Sequence, residues 1–371
     1  MNLAEMLSYA DIQQLSKIAV NYECECNGHS KNELIQSILS AVNRREVFDK
    51  YIQGMSPEDL RFLNSLLFDQ RESFSLEEMI ARVQQTKFIK EDNESWNPRE
   101  VIAKFKQRGW LFNGYSQQTK YLFQVPKDLK RRFSDVLTSR FLTSLHTIEE
   151  PGVYRDEQKI AAEDIYHFLR FVHHQDVALT TDGSMYKRQI QQILDGFTVK
   201  EDPVTKSGWR FGYGRRFKEY PNRLSFIYDY CFYNTLINEE DNKLTLTEKG
   251  LKLVLAEKRE DSLQIYRLWL RLYKGPIHNM QSIVHWIDRL CRKWVTLDSL
   301  RPVLCKFIKP FYYDSPEIIL EQRILQMMMH LGLVRIGEDE QHGTVVQVTK
   351  LGSSMINGTY ISEEETIEIK S

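Results

Sequence analysis

Residues Arg323 to Gly352 read RILQMMMHLGLVRIGEDEQHGTVVQVTKLG. The first eight make an apolar helical run. Gly332 then suits a helix end, because a left-handed backbone is cheap only without a β-carbon. Leu333–Ile336 and Thr344–Val348 are strand-like, and Glu338 to Gly343 is a polar turn between them, so the two runs predict a hairpin. Thr349-Lys350-Leu351-Gly352 closes the unit.

The same order of parts occurs twice upstream. Arg223 to Gly250 gives an apolar helix, Leu236–Ile237, a polar turn at Glu239 to Asn242, and Lys243–Leu246 followed by Thr247-Glu248-Lys249-Gly250. Glu100 to Leu129 gives a helix, Trp110–Phe112, a polar turn at Asn113 to Thr119, and Tyr121–Val125. A helix followed by a two-stranded hairpin is the last part of a winged helix-turn-helix. Three copies in one chain predict a mainly α fold of the α+β kind, with tandem winged-helix modules and small β-hairpin wings. Ser56, Ser75 and Asn97 each precede a helix-favouring start, with Pro57 and Pro98 at the first helical position, which supplies the first module with three helices.

A chain of 371 residues divides into about two to four domains. Hydrophobic content of 42% with 27% charged residues fits a globular protein. Lys+Arg 50 against Asp+Glu 51 leaves a net charge of -1, so any nucleic-acid site must be a local patch. Five cysteines are an odd number and too few for a disulfide framework. Cys231, Cys291 and Cys305 stand among apolar helical residues and read as buried thiols of a reducing compartment. The start Met1-Asn2-Leu3-Ala4-Glu5 has no basic, then apolar, leader, and no apolar run has the length of a membrane span. The expected location is the cytoplasm, at the nucleoid if DNA is bound, with no membrane partner.

The domains expected are residues 1–45, a small helical module; 56–135, the first winged helix; 136–158, a polar linker broken at Pro151-Gly152; 159–260 and 261–358, the second and third winged helices; and 359–371, an acidic tail. In the first, two helices flank the turn Asn27-Gly28-His29, and Ser30 with Glu33 forms a capping box. Lys31-Asn32-Glu33-Leu34-Ile35-Gln36-Ser37-Ile38-Leu39 resembles the second helix of a SAP-type module, which implies DNA or chromatin association. Lys17 and Lys31, however, stand among Glu23, Glu25 and Glu33.

Leu179-Thr180, Gly183 and Lys187-Arg188, followed by a helix, resemble a signature of bacterial helicase-associated winged-helix proteins related to the N-terminal region of XPB-type helicases. Val125-Pro126 with Leu129, and the closers Leu246 to Gly250 and Val348 to Gly352, are similar to the same group. The resemblance covers Ser56 to Gly358. It implies a winged-helix array associated with DNA or with a DNA helicase, and it carries no catalytic residues.

A direct search for chemistry agrees. The dipeptide Gly-Lys does not occur, so there is no P-loop, and H-E-x-x-H, G-x-S-x-G and paired-cysteine zinc patterns are absent. Asp156-Glu157 is reminiscent of an acidic ATPase pair but reads as a solvated helix start. Cys24, Cys26 and His29 supply three soft ligands where a structural zinc site needs four. His173, His174 and Asp176 read as a solvated helix end. Neither a metal, a cofactor nor an enzymatic activity is expected.

The most informative polar stretch is Lys206 to Lys218, KSGWRFGYGRRFK, with five basic residues, no acid, four aromatics and three glycines. Cations can neutralise phosphates and aromatic faces can stack on bases. Alternatively the aromatics fill the core and the arginines line its rim. The residues expected to meet nucleic acid are Lys206, Trp209, Arg210, Tyr213, Arg215, Arg216 and Lys218, with Lys187 and Arg188. The expected function is non-enzymatic: binding DNA at low sequence specificity, or positioning a helicase or nuclease on it in repair, recombination or transcription. A protein-docking scaffold of winged helices that touches no nucleic acid is the alternative. The sequence leaves the oligomeric state open.

Overall fold

A computed structural model of the chain describes residues 1–88, 97–204, 212–362, 365 and 367. The chain divides into two compact units, Met1–Ser144 and Leu145–Ser371.

The first unit opens with α1 (Leu3–Tyr9), α2 (Ile12–Asn21), α3 (Lys31–Asn43) and α4 (Arg45–Gln53). Where the pattern predicts two helices up to residue 42, three form, because Asp11 accepts the Gln14 amide at 2.7 Å and starts α2 one residue after Ala10 ends α1. Ser30 caps α3 as expected, but the Glu33 carboxylate turns back to the Asn27 amide at 3.3 Å, so the box closes on one side only. Helix α4 lies beyond the expected module. It buries Phe48 and Ile52, and the Phe48 ring packs 4.8 Å from Phe133.

Next come α5 (Pro57–Leu67), α6 (Leu76–Gln85) and α7 (Pro98–Gln107), started by the caps of Ser56, Ser75 and Asn97. Strands β1 (Phe112–Asn113) and β2 (Phe123–Gln124) form the hairpin, shorter than the pattern predicts, and Phe74 bridges the other side of β2. Helix α8 (Lys127–Leu142) ends the unit. Its basic face is not simply solvated: Lys130 donates to the Asp69 carbonyl at 3.1 Å and Arg132 to that of Val42 at 2.6 Å.

The polar stretch 136–158, expected as a linker, spans the border of the two units and carries regular structure. Its start continues α8, and its remainder supplies β3 (Thr147–Ile148) and β4 (Val153–Arg155). Then follow α9 (Ile160–His174), β5 (Val177–Ala178), α10 (Lys187–Gly196), α11 (Asn222–Tyr233), β6 (Ile237–Glu240), β7 (Lys243–Leu246) and α12 (Glu248–Leu255). The strands make an antiparallel sheet in the order β5-β7-β6. Helices α13 (Ser262–Tyr273) and α14 (Met280–Leu290) lead to β8 (Trp294–Thr296) and α15 (Leu297–Leu304). Helix α16 (Pro316–Ile318) passes through a π-helical stretch, Ile319–Leu325, into α17 (Gln326–His330). Strands β9 (Val334–Asp339) and β10 (Gly343–Val348) and helix α18 (Lys350–Gly358) follow.

The last sheet runs β3-β8-β10-β9-β4, so the two supposed linker strands hold its opposite edges. Side chains from non-adjacent strands meet over it. The rings of Tyr154 on β4 and Trp294 on β8 lie 5.4 Å apart. In a flat sheet two intervening strands would hold them about 14 Å apart. Pro151 and Val153 close over Gly337, where any β-carbon would sit 2.6 Å from the Pro151 ring.

The closing tetrapeptides have a common physical basis. Thr247 caps α12 by accepting the Gly250 amide at 3.1 Å, while its own amide donates to the Leu236 carbonyl. Thr349 does the same with Gly352, at 2.8 Å, and Leu333. A β-carbon on either glycine would lie 2.1 Å from the Leu236 or Leu333 carbonyl oxygen. Each hairpin is thus locked to the helix that follows it. Gly332 has φ +73°, as its helix-ending position requires.

Met327, Met328 and Met329 are core residues, as are Cys231 and Cys291, but Cys305 is half-exposed in a tight turn. The described part of the acidic tail is docked: Ile361 is buried, and Arg271 and Lys274 of α13 donate to the carbonyls of Glu365 and Ser362. Among the described residues no helix is long and apolar enough to cross a membrane.

Candidate nucleic-acid interface

Lys206, Trp209 and Arg210 lie outside the described residues. The remaining six candidates divide into two groups of three.

Tyr213, Arg215 and Arg216 are built into the second unit. Tyr213 is buried, its ring edge-on to Tyr273 at 5.2 Å and Phe311 at 5.7 Å, with the Arg323 guanidinium 5.1 Å from its centre. Burial, reinforced by Asp314, pushes its phenol above the usual range. At Gly214 the backbone runs so close to α11 that a β-carbon would meet the Asp229 carboxylate at 2.5 Å. The Arg215 amide donates to Asp229 Oδ2 at 3.1 Å. Burial pushes the Asp229 carboxyl up to about 7, although the Arg215 amide and charge pull the other way.

The Arg215 guanidinium makes a two-point contact with Glu239 of β6, at 3.1 and 3.3 Å, and lies 3.6 Å from the centre of the Phe232 ring. Arg216 donates to the Asp182 carbonyl at 2.6 Å and reaches Glu239 Oε2 at 3.5 Å. Its Nη2 occupies the space beneath Gly183, 2.4 Å from where a β-carbon would be. Tyr228 donates to the same Glu239 at 2.5 Å. Two arginines therefore have their charge answered by acids the loop itself lacks. They knit the loop to the wing, and with this geometry they are not open to phosphate.

Lys187, Arg188 and Lys218 are exposed. Lys187 and Arg188 occupy the first turn of α10; the loop before it is pinned by Tyr220, whose hydroxyl accepts the Met185 amide at 2.8 Å. Lys187 and Lys218 line a groove of roughly 930 Å³ together with Met185, Tyr186, Ile190 and Val204. Asp182, Asp202 and Glu219 line it too, so its charge is mixed.

The helix that precedes each hairpin bears most directly on function. In α11, nine consecutive residues from Arg223 to Cys231 are buried. Its first free amides, those of Arg223 and Leu224, donate to the Glu201 carboxylate at 3.0 and 3.1 Å, where a bound phosphate would otherwise find them. Arg223 donates to Asp164 at 2.8 Å, to Glu157 at 3.0 Å and to the His330 carbonyl at 3.3 Å. Glu157 also meets His330 Nδ1 at 2.8 Å. Burial would raise the Glu157 carboxyl, but His330 and Arg223 hold it below its usual range. Far from a solvated helix start, Glu157 is the centre of a buried ionic cluster. The helical run from Ile319 to His330 buries nine of its twelve residues and leaves Gln322 exposed and Glu321 and Gln326 half-buried, with Arg323 donating to Asp314 at 2.8 Å. In the first unit, by contrast, α7 leaves Arg99, Glu100, Ala103 and Gln107 exposed.

No group of three His, Cys, Asp or Glu side chains among the described residues is arranged to hold a metal ion. His173, His174 and Asp176 are exposed at the end of α9, with Asp176 paired to Lys243 at 3.2 Å. Sequence reasoning missed Glu201, Asp229 and Glu239, and nothing local marks them, since they come from other elements. No protein-family model matches the chain, and no curated protein matches it at a significant level.

Proposed function

We propose that the chain is a non-enzymatic scaffold of a SAP-like helical module and three winged helices, whose second unit docks a protein and does not read duplex DNA. The winged-helix reading is supported by strand order. In each module a segment two helices ahead of the hairpin pairs with its return strand: Phe74, ahead of α6 and α7, with β2; β5, ahead of α10 and α11, with β7; β8, ahead of α15 and the run 316–330, with β10.

One observation carries the docking reading. A winged helix reads DNA by offering its third helix to the major groove. In the second module that helix, α11, is buried from Arg223 to Cys231 and already has a carboxylate at its N-terminus, and in the third the run 316–330 exposes only Glu317 and Gln322. The wing tips add Glu240 and Asp241 in one module and Glu338, Asp339 and Glu340 in the other, which repel phosphate. The resemblance to helicase-associated proteins points to a DNA helicase or nuclease as the partner class, in repair, recombination or transcription.

A second reading, phosphate contact through Lys187, Arg188 and Lys218, is favoured by their exposure. The two separate in a titration of random duplex DNA at about 50 and about 200 mM salt, where phosphate contacts weaken steeply. Under the docking reading, reversing all three to Glu leaves duplex affinity and salt slope unchanged, and a helicase or nuclease co-purifies even after nuclease treatment. A flattened slope in the triple variant establishes the phosphate reading instead.

A further inference from the structure

The first wing differs in chemistry from the other two. From Val101 to Lys127 there is no Asp or Glu, against five Lys and Arg. Three of those five are engaged: Lys104 and Arg108 with the buried Asp59, and Lys127 with Glu72. Lys106 and Lys120 remain at the wing. They are joined through Asn113, which accepts from Lys106 Nζ at 2.7 Å and donates to the Lys120 carbonyl at 3.2 Å.

Large aromatic rings stand exposed on the same surface. Tyr115 at the wing tip and Tyr9 at the end of α1 are each 61% exposed, and Tyr121 is 74% exposed. Tyr9 and Tyr115 stack nearly face to face, with centroids 4.5 Å apart and planes 18° apart. Lys120 Nζ lies 4.9 Å from the centre of the Tyr121 ring. Single exposed apolar residues need no explanation, but a stacked pair on a wing that also carries a lysine over a third exposed ring is a different object. Stacking holds both rings in one orientation and leaves their outer faces open. The carboxylates around this surface are engaged: Glu5 and Asp11 cap the amides of Asn2 and Gln14, and Asp69 and Glu72, which line a groove with Tyr115, pair with Arg71 and Lys127.

We propose that the first wing and the end of α1 form a stacking surface for a single-stranded nucleic acid. Bases of a single strand offer free π-faces to Tyr9, Tyr115 and Tyr121, while Lys106 and Lys120 meet the intervening phosphates. A duplex does not fit this chemistry, because its base faces are covered by their neighbours. The site is independent of the docking reading for the second unit, and either can fail alone.

The test uses the full chain and fluorescein-labelled oligo-dT of about 15 nucleotides, a length that fills a typical single-strand site. Tyr115→Ala and Tyr9→Ala each weaken binding by roughly fivefold or more, the loss of one base stack. Tyr115→Trp retains binding. Lys120→Gln flattens the slope of log affinity against log salt by about 0.7, the single-strand increment for one phosphate contact. Tyr312→Ala, at an equally exposed tyrosine of the second unit, changes nothing. A parallel series with oligo-rU tells whether DNA or RNA is preferred, and a matched duplex binds more weakly than either. The proposal is overturned if the wild-type chain does not bind the oligonucleotides at low salt. It is equally overturned if Tyr9→Ala and Tyr115→Ala leave binding unaltered, as they would if the rings received a peptide.

Discussion

Glu239→Gln tests whether the arginines of the basic loop hold the fold or wait for a ligand. The substitution keeps the side chain's shape and one acceptor for Tyr228, but removes the charge opposite Arg215 and Arg216. The side chains of Arg215 and Glu239 are 17% and 18% exposed, so the pair is largely but not wholly desolvated. Breaking a fully buried pair costs about 3–5 kcal/mol, and the residual exposure reduces this to about 2–3 kcal/mol. In a unit of this size each kcal/mol moves the melting temperature by about 2–4 °C, so a fall of roughly 5–10 °C is expected. Surface charge removal would give within about 0.5 kcal/mol, or about 1–2 °C. The assay is a circular-dichroism melt of wild type, Glu239→Gln, Arg215→Met and the double variant. The single losses should be far from additive, since each strands the other partner. A fall under about 2 °C, or strict additivity, would refute the structural role.

Asp229 gives a pH signature. Its folded pKa, about 7, lies above the unfolded value, so between about pH 4 and 7 the folded state holds a proton that the unfolded state has released. Stability from this group is therefore full at acid pH and lost as pH rises through 7. The melting temperature of Asp229→Asn relative to wild type should climb from pH 5 to pH 8; a flat difference would show that the carboxyl titrates normally. Gly250→Ala and Gly352→Ala should each destabilise by about 1–3 kcal/mol or more by forcing a β-carbon into a carbonyl. Gly358→Ala, which has open space around it, should not, and equal melts for all three would undo the locking argument. Tyr22 donates to the Arg108 carbonyl at 2.9 Å and accepts from Trp110 Nε1 at 3.1 Å. Tyr22→Phe leaves both unsatisfied and should cost the first unit about 1–3 kcal/mol by chemical denaturation.

What the sequence disclosed was local. Gly332, the Thr-x-x-Gly closers and the caps at Ser56, Ser75 and Asn97 each act within a few residues, and their geometry is as the pattern predicts. The hairpins β6–β7 and β9–β10 are likewise set by neighbours. What escaped was long-range. The basic loop looked uncompensated because Asp229 and Glu239 arrive from α11 and β6, and Glu201 becomes a cap only when α11 is seated. Asp156 and Glu157 looked solvated because their partners, Arg335 and His330, lie 179 and 173 residues away. Two- and three-residue strands such as β3 and β4 have too few positions to show any alternation, so their pairing was invisible.

The clasp that β3 and β4 place on the third wing also bears on the order in which the chain can form. These strands precede the whole second module, yet the partner of β4, β9, comes after it, and their junction is bracketed by the Asp156–Arg335 pair. During synthesis the early strands emerge long before anything exists to pair with them. Modules of a multidomain chain generally fold in turn as they emerge. Here the second module can collapse around α9 and α11, but its flank stays open until the residues near 334 to 348 have been made. Contacts of such high sequence separation are slow to close. A ribosome stalled before residue 334 would thus carry a nascent chain with unpaired strand edges and an unmatched Asp156, a substrate for chaperones and not a shorter working protein.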